Sequence, residues 1–389
     1  MSNIVYLKEL LEIKNGKDYR KLEKGKIPVY GTGGIITYVN DFLYDNESIL
    51  LPRKGSLQNI LYVNEKFWTV DTMYWSIINK EKVYPKYLFC YLSLLNLSSR
   101  DSGSTLPSMT FDAYYTLPIK LFSYEKQKKI GDLYFEITNK IKLNNKINSE
   151  LENMAKTIYD YWFLQFEFPN DEGKPYKSSD GKMVWNEELK KEIPEGWEVE
   201  TLLKNRISSV IRTGTEYFET KNYLATANII NEEITDGNWI TYENRESRAN
   251  MTPVSNSVWF AKMKNSIKHL TITDSAEWFL EKYILSTGFL GLKCNENSLG
   301  YIHCFINSKY FEPKKDSLAH GATQEAVNNE DINFIKILIP KDNILESFNK
   351  IIKPLLQKKL DNKKENQELI SLRDYLLPLL MNGQVGFKD

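Results

Sequence analysis

Two stretches of the chain share one rhythm of apolar positions. Between residues 123 and 165, Ile130, Ile137, Asn144, Leu151 and Ile158 recur every seven residues, with Leu133, Ile147, Met154 and Tyr161 at the companion position. Between 342 and 382, Phe348, Leu355, Asn362, Leu369 and Leu376 do the same, beside Ile351, Leu372 and Leu379. A seven-residue spacing keeps one stripe of a helix facing a partner along its whole length, so each stretch predicts a long helix of coiled-coil type. Asn144 and Asn362 are the polar members of their rows. Either they are buried, costing stability while fixing register and partner orientation, or they lie at a wet or frayed part of the seam. Pro354 predicts a kink in the second helix or marks its true start.

Elsewhere the apolar residues alternate in short runs. "SILLPRKGS", "FWTVDTMYWSII", "SVWFAKM" and "GFLGLK" predict strands separated by Gly and Asn turns, and "PKYLFCYLSLL" predicts a helix. Sliding the sequence by 218 positions lays residues 102–122 on 320–340. Gly103 then meets Gly321, Thr105 meets Thr323, Asp112 meets Glu330 and Ile119 meets Ile337. The same register continues without a gap through Ile137 on Leu355, Asn144 on Asn362, Asn148 on Asn366 and Met154 on Leu372. The chain is internally duplicated.

The repeat assigns the organisation. Residues 1–122 form a first globular unit, 123–165 a long helix, 166–194 a connector rich in Gly, Pro, Ser and charge, 195–341 a second globular unit, and 342–382 a second long helix. The connector returns the chain from the end of one helix into the second unit, which lets the helices lie antiparallel. The predicted fold class is mixed α/β, with two globular domains joined by two long antiparallel helices forming a coiled coil, and an internal pseudo-two-fold repeat.

Composition narrows the possibilities. The content is 42% hydrophobic and 26% charged over 389 residues, an ordinary globular balance with room for two or three cores. The N-terminus lacks the order of a signal peptide and no long apolar run occurs, so the expectation is a cytoplasmic protein without a membrane partner. Cys90, Cys294, Cys304, His269, His303 and His320 show no paired-ligand spacing, and they read as ordinary core and surface residues with no metal. The formal net charge is zero. Residues 1–122 carry 15 basic against 12 acidic side chains and residues 195–341 carry 16 against 19, so any nucleic-acid binding must rest on local patches.

The connector "FPNDEGKPYKSSDGKMVWNEELKKEIPEGWEVE" resembles the central connector of the DNA-specificity subunit of type I restriction-modification enzymes. Its frame matches too, in "IPVYGTGG", "ILLPRKGS", "SGSTLPSM" and the closing "LRDYLLPLLMNGQV". The resemblance spans essentially the whole chain. It implies a non-catalytic reader of double-stranded DNA with two target-recognition domains, each binding one half of a split, asymmetric site. The two helices would serve as spacers and as docking surfaces for two methyltransferase subunits, with restriction and translocase subunits joining that core. No cofactor is implied for this subunit; S-adenosylmethionine, ATP and Mg belong to the partners. About 40 helical residues at 1.5 Å each would make a rod of roughly 60 Å, consistent with reading faces about one DNA turn, roughly 34 to 36 Å, apart.

No catalytic constellation is visible. An Asn or Asp followed by two prolines and an aromatic, as in adenine methyltransferases, is missing, and so is the phosphate-gripping loop of an ATPase. The glycines of "YGTGG" (30–34) read as a tight turn between strands. DNA reading needs cations and amides on loops held by a rigid frame. In the first unit this singles out Arg53, Lys54, Ser56 and Gln58 in "LPRKGSLQN", with Arg100, Ser104 and Thr105 in the loop before the first helix. In the second it singles out Arg212 and Thr213, Arg245 and Arg248, Lys262 and Lys264, and Thr323 with Gln324. Any one of these taken singly reads more readily as an exposed solubilising residue. Trp68, Trp75 and Trp197 read as core, while Tyr159, Trp162 and Phe163 either pack on a partner protein or close the helix against the neighbouring domain. The rival functions are an enzyme with its own catalytic motif, and a coiled-coil scaffold joining two binding modules for non-DNA partners.

Overall fold

The computed structural model describes residues 3–97, 107–230, 233–235 and 237–387. It divides into two compact units, residues 1–143 with 366–389, and residues 144–365. The division falls inside both long helices, so each unit owns a globular part and one half of the helix pair.

Unit 1 begins with β1 (Asn3–Tyr6), β2 (Leu11–Lys14), β3 (Lys24–Gly31), β4 (Gly34–Val39) and β5 (Tyr44–Asp45). It continues through β6 (Ser48–Pro52), β7 (Leu61–Val63), β8 (Lys66–Thr69), β9 (Met73–Ile78), α1 (Pro85–Ser93), α2 (Phe111–Tyr115) and β10 (Pro118–Leu121). The predicted turn at 30–34 is the β3–β4 hairpin, where Gly34 supplies a φ of +103° that a side chain would resist. The strands make two four-stranded sheets, β2-β9-β6-β7 and β4-β3-β8-β5, and a separate pair, β1-β10. After β10 comes the first long helix, α3 (Tyr124–Tyr159), closed by a single π-helical turn, Asp160–Leu164.

Unit 2 opens with the connector, which is not a bare linker. Its strands β11 (Met183–Asn186) and β12 (Lys191–Pro194) form a hairpin, and Phe166, Phe168 and Ile193 are buried in the unit 2 core. Phe166 takes a left-handed φ of 64°, a strain of about 1–2 kcal/mol that is offset by burying its ring against Trp197 at 5.8 Å. The remaining strands are β13 (Glu198–Thr201), β14 (Ser208–Val210), β15 (Lys221–Leu224), β16 (Ile229–Ile230), β17 (Glu233–Ile234), β18 (Asn238–Ile240) and β19 (Ala249–Met251). Then follow β20 (Ser257–Ala261), β21 (His269–Ile272), α4 (Glu277–Lys282), β22 (Tyr283–Ser286), β23 (Phe289–Cys294), α5 (Leu299–Ile306), α6 (Phe311–Leu318), β24 (Lys336–Ile339) and α7 (Asp342–Asn382).

Beside the connector hairpin and a β16-β17 pair with no counterpart among the described residues of unit 1, the unit 2 sheets are β14-β23-β20-β21, β18-β15-β22-β19 and β13-β24, in the strand order of unit 1. Each unit contains one parallel pairing at the same place, β3 with β8 and β15 with β22. The buried Tyr87 hydroxyl donates to the Lys120 carbonyl, and the buried Tyr301 hydroxyl donates to the matching Leu338 carbonyl. Both long helices start at positions 218 apart, Tyr124 and Asp342. The duplication therefore covers the whole of both globular parts, well upstream of residue 102, where the sequence repeat becomes visible.

Within each unit the two helix segments pack antiparallel. In unit 1, Ile130, Leu133, Tyr134 and Ile137 of α3 meet Arg373, Leu376, Leu377 and Leu380 of α7. In unit 2, Tyr159, Trp162 and Phe163 surround Phe348, with ring centroids 4.8–6.4 Å apart. These three aromatics close the helix against its own unit and are buried, which removes the partner-packing alternative. The seam is not a strict heptad. Ile130, Ile137, Asn144, Phe348 and Asn362 are buried, whereas Leu151, Ile158, Leu355, Leu369 and Leu376 are half-buried, and the burial passes to Asn148, Ala155, Tyr159, Leu356, Asn366 and Leu377. A straight helix drifts by about 20° per heptad, and the buried stripe here drifts with it. Of the companion positions, Met154, Tyr161, Ile351 and Leu372 are exposed.

Asn144 and Asn362 are buried and bonded, not wet. Asn362 Nδ2 donates to Asn148 Oδ1 and Asn144 Nδ2 donates to Glu365 Oε2, both at 2.8 Å. Pro354 lies inside α7, twelve residues past its first residue, so it does not start the helix. Trp68 and Trp197 are buried and Trp75 half-buried. Among the described residues no helix is long and apolar enough to cross a membrane.

Candidate nucleic-acid interface

The loop after β6 carries "RKGSLQN", and four backbone contacts fix its path. Arg53 N–H donates to the Thr72 carbonyl, Gly55 N–H to Pro107 and Met109 N–H to Arg53, at 2.8–3.0 Å, and Lys54 bridges to Ser108. Gly55 has a φ of +91°, so the tightest point of the loop falls where a side chain is absent. From the far end of the loop, Asn59 Nδ2 donates to the Thr32 carbonyl in the β3–β4 turn at 2.8 Å.

The loop after β20 is built the same way. Lys262 N–H donates to Gly288, Lys264 N–H to Glu325 and Val327 N–H to Lys262, at 2.9–3.0 Å, and Met263 bridges to Ala326. Lys268 Nζ donates to the Thr226 carbonyl at 2.6 Å, the counterpart of the Asn59 clasp. By these bonds Arg53 is equivalent to Lys262, Lys54 to Met263 and Gly55 to Lys264. Two loops of unrelated sequence are held by one set of main-chain bonds, and that leaves their side chains free to differ.

The predicted residues distribute around these loops unevenly. In unit 1, Lys54 and Ser56 are exposed. The Arg53 guanidinium is half-buried, 5.9 Å from the Tyr74 ring and 3.4 Å from the Asp71 carbonyl. Gln58 is exposed, and with its amide oriented to satisfy its neighbours it donates to the Leu95 carbonyl at 3.2 Å and accepts from Leu97 N–H at 3.0 Å. That amide also ties the loop to the 95–97 segment. Arg100, Ser104 and Thr105 lie outside the described residues.

In unit 2, Lys262, Lys264, Thr323 and Gln324 come together. Lys262 is half-buried, and burial holds its ammonium pKa below the ordinary lysine value. Lys264 ion-pairs with Glu325 at 2.7 Å. Thr323 and Gln324 are exposed at the tip of a loop closed by paired backbone bonds between His320 and Ala326, and Gly321 in that tip leaves no room for a Cβ beside the Gln324 carbonyl. Arg248 is exposed, with its guanidinium 3.8 Å from where a Cβ of Gly288 would stand, so it neighbours Lys262. Arg212 and Thr213 are exposed on the strand end that reaches Asn250 through Gly214 N–H. Arg245 is placed apart, its guanidinium over the Tyr242 ring at 3.9 Å and donating to the Tyr242 carbonyl at 2.9 Å.

Sequence reasoning missed Asn59 and Lys268, the two clasps, and the groups beneath the loops. In unit 1 the buried Tyr114 hydroxyl donates to the Pro52 carbonyl at 2.7 Å. In unit 2 the matching carbonyl, Ala261, receives the buried Lys315 ammonium at 3.3 Å. No sequence signal marked these, because Asn59 and Lys268 are separated by 209 positions and Tyr114 and Lys315 come from different elements.

Comparison with known proteins bears on what this arrangement is. Residues 2–153 match the family model described as the type I restriction modification DNA specificity domain. The chain is 25% identical over 380 residues to the MjaIX type I restriction enzyme specificity subunit of Methanocaldococcus jannaschii, a match covering 89% of this chain and 79% of that one. It is 24% identical to the HindI specificity subunit of Haemophilus influenzae, covering 83% and 81%. The fold matches the crystal structure of a type I restriction-modification S subunit from M. genitalium with a TM-score of 0.61 at 14% identity, over 100% of this chain and 96% of that one. The chain is thus similar to type I restriction-modification specificity subunits, over residues 2–153 in the family model and over most of its length in the curated relatives.

Proposed function

We propose that this chain is the DNA-reading subunit of a type I restriction-modification enzyme, with unit 1 and unit 2 each reading one half of a split, asymmetric site. The observation that carries this is the duplicated loop. Two strapped loops present different side chains from one backbone frame, which is what recognition of two different half-sites requires. Exposed Lys54 and Arg248, with half-buried Lys264, supply phosphate contacts that position the loops, and Arg53, Lys262 and Gln324 are the groups nearest to base-reading chemistry. Helices α3 and α7 set the number of unread base pairs between the half-sites. The names of the relatives support a specificity role, and the chain is accordingly proposed to be non-catalytic and cytoplasmic. Methylation, cleavage and their cofactors, S-adenosylmethionine, ATP and Mg, are assigned to two methyltransferase subunits and to restriction subunits.

A gel-shift assay of the purified chain, alone and with its methyltransferase partner, tests this on random and genomic DNA. Sequence-selective shifts that require the partner support the reading. No shift in either state would favour the scaffold for non-DNA partners, a reading to which the zero net charge is congenial.

A further inference from the structure

Lys315 is the fully buried charge that the proposed reading does not use. It lies on α6, is 0% exposed, and its Nζ ion-pairs with Glu312 Oε2 at 2.6 Å and with Asp316 Oδ1 at 3.5 Å. The same ammonium faces three backbone carbonyls of one loop, Ala261 at 3.3 Å, Met263 at 3.2 Å and Ser266 at 3.4 Å. These carbonyls flank Lys262 and Lys264. Asp316 completes the seat by accepting from Asn265 N–H at 3.2 Å, where the loop backbone takes a left-handed φ of 56°.

The counter-charge is itself held in place. Glu312 Oε1 contacts His269 Nε2 at 2.8 Å, and His269 Nδ1 contacts Asn307 Oδ1 at 2.8 Å. Burial alone would raise the Glu312 carboxyl pKa, but the hydrogen bonds to His269 and Lys315 outweigh it and hold the group ionised. A buried ammonium is costly unless it is paired and its protons are bonded, and here two carboxylates and three carbonyls surround its three N–H groups. Such a centre has one favourable geometry. Moving the loop by an ångström would leave charge and carbonyls unpaired together.

We propose that Lys315 is a positioning residue for sequence reading by unit 2, its ammonium fixing the backbone of the 261–266 loop so that Lys262 and Lys264 meet one half-site in a single register. Unit 1 performs the same task with the Tyr114 hydroxyl on one carbonyl. The inference rests on the proposed DNA-reading role, and it assigns Lys315 an effect on one half-site only.

The test is the pattern of DNA methylation in cells expressing the chain with its methyltransferase subunits, read separately for base changes in each half of the target. Wild-type chain that gives no sequence-selective methylation would remove the DNA-reading role itself, whatever Lys315 does. Given selective methylation, Lys315→Met is expected to lower discrimination against base changes in one half by about 10-fold or more, with the other half read as in wild type. Lys315→Gln, which keeps two N–H donors, is expected to retain an intermediate level and serves if the Met variant does not fold. Tyr114→Phe, a single hydroxyl deletion, is expected to weaken discrimination in the opposite half and less severely. Unchanged discrimination in both halves, or an equal loss in both, would overturn the proposal, since a general loss of stability does not choose a half-site.

Discussion

The two units solve one structural problem with different chemistry. Pro52 and Ala261 occupy the same place at the end of the strand that feeds each loop. One carbonyl is met by the neutral Tyr114 hydroxyl and the other by the buried Lys315 ammonium. A second pair behaves alike: Tyr62 packs near Phe89 at 6.0 Å, while in the matching place Thr271 Oγ1 contacts His303 Nδ1 at 2.8 Å. In unit 2 that histidine also lies 3.3 Å from Glu152, which ion-pairs with Lys359 of α7. At this place unit 1 packs two rings, with the Tyr62 hydroxyl donating to Glu47, where unit 2 pairs a threonine with a histidine. The lesson is that main-chain bonds define the duplicated frame, and that side chains are exchanged freely wherever the backbone groups stay satisfied.

This contrast can be broken by substitution. The largest effect is expected at the helix seam, where Phe348 and Ile130 hold the same repeat position. Phe348→Ala should destabilise unit 2 by about 3–5 kcal/mol and Ile130→Ala should destabilise unit 1 by about 2–5 kcal/mol, toward the lower end. Denaturant unfolding followed by tryptophan fluorescence would report this, since Trp162 lies 5.5 Å from Phe348. Equal insensitivity at both sites would mean that the seam does not stabilise either unit.

Next in size is the charged network around Glu152 in unit 2. Burial would raise the Glu152 carboxyl pKa, but His303 and Lys359 outweigh it and hold it well below the ordinary glutamate value, and Glu312 is lowered in the same sense. A carboxyl depressed in the folded state contributes stability above its unfolded pKa of about 4.3 and loses that contribution as pH falls toward the folded value. Acidification from pH 5 to 3 should therefore weaken unit 2. Glu152→Gln should cost about 1–3 kcal/mol at pH 7, discounted for its partial exposure, and flatten that acid limb. An acid limb unchanged by the substitution would remove the network from the account.

Smaller still are the clasps. Asn59→Ala and Lys268→Ala each remove one hydrogen bond to a threonine carbonyl, a loss of about 1 kcal/mol, measurable as a shift in denaturant midpoint. The smallest effect belongs to Lys54, which is exposed: Lys54→Gln should leave the unfolding midpoint unchanged and reduce the slope of log affinity against log salt by about 0.9.

How much of this was legible follows from the same contrast. The helices were readable because a seam between helices constrains side chains directly, and Ile130, Ile137, Asn144, Phe348 and Asn362 carry that constraint in their spacing. The strands at "SILLP" and "SVWFA" were readable because buried strands must be apolar on both faces. The duplication upstream of residue 102 was not readable, because insertions change the offset from 218 at β10 and β24 to 209 at β6 and β20. The drift of the seam escaped a seven-residue template. Within the site, Arg53 and Lys262 were picked for their chemistry without any signal that they correspond. The second task of Gln58, bonding to Leu95 and Leu97, left no mark in the sequence, which cannot say what an amide meets across a fold. Lys315 was invisible, since nothing in "FEPKKDSL" distinguishes a lysine that enters the core from its exposed neighbours.

The account stands on two equivalent loops reading two different half-sites. The most direct measurement is a map of methylated adenines in a genome expressing this chain with its methyltransferase partner, compared for wild type, Arg53→Ala and Lys262→Ala. The account predicts a split motif in which each substitution relaxes a different half and leaves the gap between them unchanged. A single uninterrupted motif, or two substitutions that relax the same half, would contradict it.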